Sequence, residues 1–322
     1  MLAKIISQIN KRIFHTGEVQ LFPRIQDPDK VSDIIYRILS SEEPCMIARY
    51  GATELMCIIN YLGVKNGRPN MVRYLLGMED DWWWHESSLK QIEQWSGFFP
   101  ATKYNVEKFC KLMLEDSQNV DILVSWLKDE YKLKNFLRAK YYIQGLFLDP
   151  FWSNKPWTKA LQGKNILVVH PFAESIEQQY NLHREQLFDN PDILPDFNLK
   201  TIKAIQSLGG KCNDFANWFD ALNYMEKEIE KCDFDICLIG CGAYGFPLAA
   251  HVKRMGKKAV HMGGSLQLLF GIIGHRWENP AYGSKELHKK GCYPQLINEY
   301  WIRPSSNEKS LNAKQVESEC YW

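Results

Sequence analysis

The stretch that decides the fold is Asp235-Ile-Cys-Leu-Ile-Gly240-Cys-Gly242-Ala-Tyr-Gly245-Phe-Pro247, set inside residues 234–277. Its first six residues are a short apolar run ending in glycine, the pattern of a strand buried on both faces. A glycine turn follows at once, and Pro247 stands where the first turn of a helix tolerates a missing N–H. Leu248, Val252 and Met255 then fall at i, i+4 and i+7, which predicts one apolar face on a helix that stops at Gly256. Residues 258–262 return as a second strand, Gly263 and Gly264 break it, and Ser265 can cap a further helix through Leu266, Leu269 and Phe270. Strand, turn and helix repeated in this way form the unit of a parallel sheet. The expected fold is α/β and Rossmann-like, a mostly parallel sheet with helices on both faces.

The flanking sequence supplies further strands. Residues 45–50 form one, closed by Gly51, and the helix after it carries Leu55, Ile58, Ile59 and Leu62 on one stripe, with Glu54 in its first turn. Residues 120–126 and 141–148 read as strands, the second ending at Asp149, and residues 164–170 form a buried strand between Gly163 and Pro171. A helix over 174–188 follows, then a loop near 189–195 that closes over one end of the sheet. Asn213 or Asp214 can cap a helix that buries Phe215, Trp218, Phe219, Leu222 and Ile229. The organisation expected is an N-terminal helix and connection over 1–30, one Rossmann-like domain over 31–303, and a polar tail over 304–322 that is loose until its last few residues.

Length and charge narrow the function. At 322 residues the chain can bury one large core, and a net charge of +1 gives no electrostatic case for nucleic acid as a main partner. Nine cysteines, an odd number with no C-x-x-C, read as reduced thiols in a cytosolic protein and not as a zinc site. No apolar run reaches the roughly 18 residues of a membrane span. Leu2, Ile5, Ile6, Ile9 and Ile13 share a helical face with Lys4, Lys11 and Arg12 off it, so residues 1–14 either lie on an anionic membrane or dock on the body or a partner chain. The tryptophans at 82–84, 152 and 157 serve either packing or stacking on sugars and bases.

The strand ends carry the candidate chemistry, because ligands of open parallel sheets bind outside the carboxyl edge. Gly240-x-Gly242-x-x-Gly245 between strand and helix matches the dinucleotide fingerprint, whose physical content is bare backbone N–H groups aimed at a phosphate. A nicotinamide or flavin site also needs an acid about 20 residues on. His261, Met262 and Gly263 stand there, which excludes NAD, flavin and S-adenosylmethionine and keeps the phosphate; a turn needed only for tight packing is the alternative. Arg49 and Glu54 offer a phosphate contact and a metal ligand or base, or else an ion pair. His170 followed by Glu174 suggests an acid/base pair or a clamp on a sugar hydroxyl, or a histidine that is merely hydrogen-bonded. Arg276 and Trp277 could hold a diphosphate and a ring.

Two segments resemble landmarks of the GT-D-type glycosyltransferases, bacterial enzymes of surface-glycan and glycoprotein synthesis. They are Ile47-Ala-Arg49-Tyr-Gly51-Ala-Thr-Glu54 and Ile239-Gly-Cys-Gly-Ala-Tyr-Gly-Phe-Pro-Leu-Ala-Ala-His251, running on to Gly264. In that family an R-[FY]-G-D-G-E stretch follows an early strand and its two acids are associated with metal and nucleotide-sugar binding. Arg49, Tyr50, Gly51 and Glu54 match, whereas Ala52 and Thr53 replace the Asp and the middle Gly. The resemblance implies a Rossmann-like transferase that moves a sugar from a nucleotide-diphosphate donor to a glycan or lipid-linked glycan acceptor in bacterial surface polysaccharide synthesis. Donor binding would involve Arg49, Gly51, Gly240, Gly242, Tyr244, Gly245, Gly263, Gly264 and Arg276, with Glu54, His170 and Glu174 as candidates for activating the acceptor. Glu54 is the candidate ligand for Mn or Mg, a cation put in question by Ala52. The expected location is cytoplasmic, peripheral at the inner membrane face if residues 1–14 touch lipid, and a homo-oligomer is compatible with all of this. The alternatives are a non-catalytic nucleotide- or glycan-binding protein and another sugar-nucleotide-using enzyme.

Overall fold

The computed structural model describes residues 2–13, 20–210, 212, 214–310 and 320–322. Seven strands form one sheet: β1 Cys45–Ala48, β2 Ile122–Ser125, β3 Tyr141–Gln144, β4 Asn165–His170, β5 Asn198–Lys203, β6 Ile236–Ile239 and β7 Lys258–His261. Their order is β3-β2-β1-β7-β6-β4-β5, and every neighbouring pair is parallel. The helices are α1 Leu2–Ile13, α2 Pro28–Ser40, α3 Ala52–Asn66, α4 Met71–Leu75, α5 Glu86–Ser96, α6 Lys103–Asp116, α7 Ala173–His183, α8 Trp218–Glu230, α9 Gly245–Arg254, α10 Leu266–Leu269 and α11 His275–Glu278. The chain therefore adopts the α/β Rossmann-like arrangement.

Alternate residues of each central strand feed two separate cores. Met46, Leu167, Val169, Cys237 and Ile239 pack with α3, α5, α6, α8 and α9, whereas Ile47, Ile166, Val168, Ile236 and Leu238 pack with α2, α7 and α10. Burial on both faces is why these strands are continuous apolar runs in sequence. The edge strand β5 is different: in Asn198-Leu-Lys-Thr-Ile-Lys203 only Leu199 and Ile202 are apolar, one packed on each core, and no residue of the strand is fully buried. Its lysines suit an unpaired edge.

The connections place the functional cleft. From β4 the chain steps outward to β5 through α7, while from β6 it steps the other way to β7 through α9. Right-handed crossovers in opposite directions put the two helices on opposite faces. The loops leaving β4 and β6 therefore part from each other and open a crevice at the carboxyl edge.

Several boundaries differ from expectation. Gly242 has φ 57°, which opens a 3-10 turn over Gly242–Tyr244, so α9 starts at Gly245 and Pro247 is its third residue. The predicted strand 141–148 stops at Gln144 and tightens into the 3-10 turn Gly145–Leu148. Helix α8 is capped by Asn217, whose Oδ1 accepts the Phe219 and Asp220 N–H groups at 2.9 and 3.1 Å. Asn213 lies outside the described residues. In the tail Glu308 is buried where a loose segment is expected, while Cys320 and Trp322 are buried as expected of the last few residues.

Helix α1 docks on the body with its polar side. Asn10 donates to the Leu75 carbonyl at 2.6 Å, and Lys4 pairs with Asp81 at 3.1 Å. Ile5, Ile9 and Ile13 are left 47%, 48% and 62% exposed. Trp82 packs edge-on to Tyr74 at 4.9 Å and Trp157 is fully buried with its Nε1 donating to the Leu148 carbonyl, so these indoles serve packing. Among the described residues no helix is long and apolar enough to cross a membrane.

Candidate functional site

A cleft of about 230 Å³ opens where β1, β4, β6 and β7 end. It gathers Arg49, Gly51, Glu54, His170, Gly240, Gly242, Tyr244, Gly263, Gly264 and Arg276, residues drawn from four distant parts of the chain. Glu174, Gly245, Asp149 and Trp277 are not on its wall. Trp277 is buried beneath α11, and Asp149 is buried with the Tyr293 hydroxyl donating to it at 2.6 Å. Gly245 has a packing reason instead, since a Cβ there would stand 2.2 Å from Nε2 of His261.

The predicted pairing of His170 with Glu174 does not form. Glu174 points outward from α7, where Lys203 of the edge strand donates to it at 2.7 Å and Asn307 at 3.1 Å. The Lys203 contact holds its pKa below the ordinary carboxylate value. His170 is enclosed, and its Nδ1 accepts the Phe172 N–H at 3.0 Å. That bond leaves the ring proton on Nε2, and burial pushes the pKa down to about 3. His170 is therefore a neutral group held in place, with one N–H to donate.

Three helix N-termini point at this edge, and their occupants differ. Such termini carry unsatisfied N–H groups and about half a positive charge, so each favours an anion. At α7 the place is taken by Glu308 of the tail, whose Oε1 accepts the Glu174 and Ser175 N–H groups at 2.9 and 3.2 Å. At α3 it is taken by Glu54, whose carboxyl folds back toward Gly51 so closely that a Cβ on Gly51 would meet Oε2 at 1.9 Å. At the turn leading into α9 no side chain caps the helix, and among the described residues the Gly242 and Ala243 N–H groups have no acceptor. The Gly263 and Gly264 amides beside them, at the end of β7, are likewise without an acceptor among the described residues.

Charge on the wall is arranged to match. Arg49 lays its guanidinium over the Trp126 ring at 4.7 Å, and among the described residues no carboxylate lies within 4.0 Å of it. The alternative of a structural Arg49–Glu54 ion pair is therefore not what forms. Arg276 sits across the cleft over Tyr321, 4.8 Å from the ring centre, and donates to that hydroxyl at 3.3 Å. Glu54 is buried; desolvation raises its pKa, and its own amide, Ser96 and Arg49 pull it back only in part. A buried carboxyl with a raised pKa beside an open cleft is suited to taking a proton.

Sequence reading missed part of the wall. Trp95, Ser96, Trp126, Gln206, His261, Gln267, Tyr321 and Trp322 all line it. His261 and Trp126 each stand at or just past the end of a strand, and that position is the signal that marks them in the sequence. Tyr321 and Trp322 had no local signal, because long-range contacts place them: Gln267 Nε2 donates to the Tyr321 carbonyl at 3.1 Å, and a Cβ on Gly264 would meet the Tyr321 ring at 2.2 Å. Tyr244 turns inward, with its hydroxyl 2.8 Å from the Ser207 hydroxyl and its ring stacked on Trp218 at 4.9 Å.

Glu54 is the one carboxylate side chain among the described residues that line the cleft, and Ala52 adds no ligand beside it. Among the described residues no group of three or more His, Cys, Asp or Glu side chains is placed to hold a metal.

No family model matches this chain, and no curated protein matches it. Among solved structures it is similar to one described as the selenomethionine-substituted structure of domain of unknown function 1792 (DUF1792). That likeness spans 89% of this chain and 98% of the other, at 11% identity and a TM-score of 0.33. Similarity at that level identifies neither a family nor an activity.

Proposed function

We propose that the cleft binds the diphosphate of a nucleotide-sugar donor and that the chain is a glycosyltransferase acting on a glycan or lipid-linked glycan. The observation that carries this reading is the contrast among the helix N-termini: Glu54 and Glu308 of the chain itself occupy those of α3 and α7, while among the described residues the amides of the turn into α9 have no acceptor and Arg49, on the wall of the same cleft, has no carboxylate partner. An anionic ligand satisfies both at once. The R-Y-G-x-x-E segment that supplies Arg49 and Glu54 supports the same reading.

In the proposed reaction the bond between the anomeric carbon and the phosphate oxygen breaks, and its electron pair leaves with the diphosphate. The Gly242 and Ala243 amides, Arg49 and Arg276 stabilise that charge. The acceptor oxygen bonds to the anomeric carbon, and its proton passes to the Glu54 carboxylate. His170 donates from Nε2 to the sugar or phosphate. The exposed Ile5, Ile9 and Ile13 of α1, with exposed Arg12 beside them, would let the enzyme rest on an anionic membrane that carries a lipid-linked acceptor.

Thermal-shift titration with UDP, GDP, CMP, NAD and S-adenosylmethionine tests the ligand class. Stabilisation by UDP or GDP supports the reading, and a response to NAD alone refutes it. Ala52 in place of an acid favours a second reading, a binding protein that has lost turnover. Donor consumption measured with and without Mn separates the two: tight donor binding with no turnover in either condition favours the binding protein.

A further inference from the structure

The chain has eleven tryptophans, and the two that stand more than a third exposed, Trp95 at 43% and Trp126 at 40%, both line the cleft. The other nine are buried or half-buried. Indole left in water at a concave site is unfavourable unless a ligand covers it. Trp95, in the last turn of α5, has no ring or hydrogen-bond partner among the described residues. Trp126, just past β2, is rigidly held: its Nε1 donates to the Tyr50 carbonyl at 2.9 Å, Arg49 covers one face at 4.7 Å, and its Cβ fills the space left by Gly145.

Both indoles flank the start of α3, where the Glu54 carboxyl folds back against Gly51. Trp95 lies one turn along α5 from Gln91, whose Nε2 donates to Thr53 Oγ1 at 3.2 Å, and the Trp126 Nε1 donates to the carbonyl of Tyr50, the residue before Gly51. We infer that Trp95 and Trp126 form the acceptor subsite, where the C–H face of a saccharide ring stacks on indole and presents a hydroxyl to Glu54. The ligand class is a neutral saccharide of two or more rings, since the platform consists of two separate indoles. The inference rests on the proposed transferase reading and assigns its acceptor side.

Two titrations on the full chain separate this subsite from the donor site. Wild type, Trp95→Ala and Trp126→Ala are titrated calorimetrically with UDP and with a panel of chitotriose, maltotriose and xylotriose, and Trp126→Tyr serves as the conservative variant. The result expected is binding of at least one trisaccharide, weakened about tenfold or more in each alanine variant and restored by Trp126→Tyr, with UDP affinity changed less than twofold in Trp95→Ala, which leaves Arg49 and its ring untouched. Circular dichroism confirms that each variant is folded; if Trp126→Ala is not, Trp95→Ala alone decides. No trisaccharide binding by wild type, or equal binding by the variants, overturns the inference. Loss of UDP affinity in place of saccharide affinity also overturns it and makes the indoles a nucleobase platform. Absence of UDP binding with trisaccharide binding intact refutes the donor reading while leaving the saccharide platform standing.

Discussion

Replacing Glu54 with glutamine isolates the proposed base from the fold. Glutamine keeps the shape, but it cannot take a proton. General-base catalysis contributes about 10²–10⁴ in rate. At about 1.4 kcal/mol per decade that is roughly 3–5 kcal/mol of transition-state stabilisation. The stability effect has the opposite sign. Glu54 is 7% exposed and its pKa is raised by desolvation, so the folded state holds its proton to higher pH than the unfolded chain does. Stability is thus drained as pH rises from the ordinary carboxylate value through the raised one. Glu54→Gln removes that drain and should melt at an equal or higher temperature than wild type, by an amount on the order of 1 kcal/mol, with the gain larger at pH 8 than at pH 4. The assays are kcat/KM for transfer and melting curves across that range. In wild type, kcat/KM should fall at low pH with a midpoint above the ordinary carboxylate range, and no step should arise from His170, which stays neutral. A variant that transfers sugar at the wild-type rate, or one that unfolds, refutes the assignment.

Arg49→Ala should weaken UDP binding about tenfold or more, the loss of one charged hydrogen bond, while the melting temperature holds because no ion pair is broken; calorimetry and melting curves read both. Gly242→Ala, at φ 57°, should cost about 1–2 kcal/mol of stability in denaturant unfolding and lower UDP affinity, although the nearest obstacle to its Cβ is the Ser96 carbonyl at 3.9 Å. Glu308→Ala uncaps α7 and should lower stability by about 0.5–2 kcal/mol, with UDP affinity unchanged. Ile9→Glu with Ile13→Glu should abolish co-sedimentation with anionic vesicles; equal sedimentation of variant and wild type removes α1 from any membrane contact.

The parts of the fold that were legible in sequence are those whose chemistry is local. Runs such as Ile236–Ile239 are apolar throughout because both faces are covered, and the glycines after them mark where the chain must turn. Strand β5 was not legible, because an edge strand in which only Leu199 and Ile202 are apolar looks like a polar loop. Within the cleft, Arg49, Glu54, His170 and the 240–242 turn could be named because each ends a strand. Glu174 was misplaced because spacing along a helix does not say which face meets the sheet; Lys203 on an unseen strand draws it outward. Glu308 and Tyr321 contact groups more than forty residues away, and Trp322 packs edge-on against Phe172. No local pattern encodes such contacts.

The central claim is that the turn into α9 and Arg49 together receive a diphosphate. A crystal structure with UDP bound tests it most directly. The account predicts phosphate oxygens within about 3 Å of the Gly242 and Ala243 nitrogens and in contact with the Arg49 guanidinium. A diphosphate bound elsewhere, or one that leaves those two amides untouched, contradicts it.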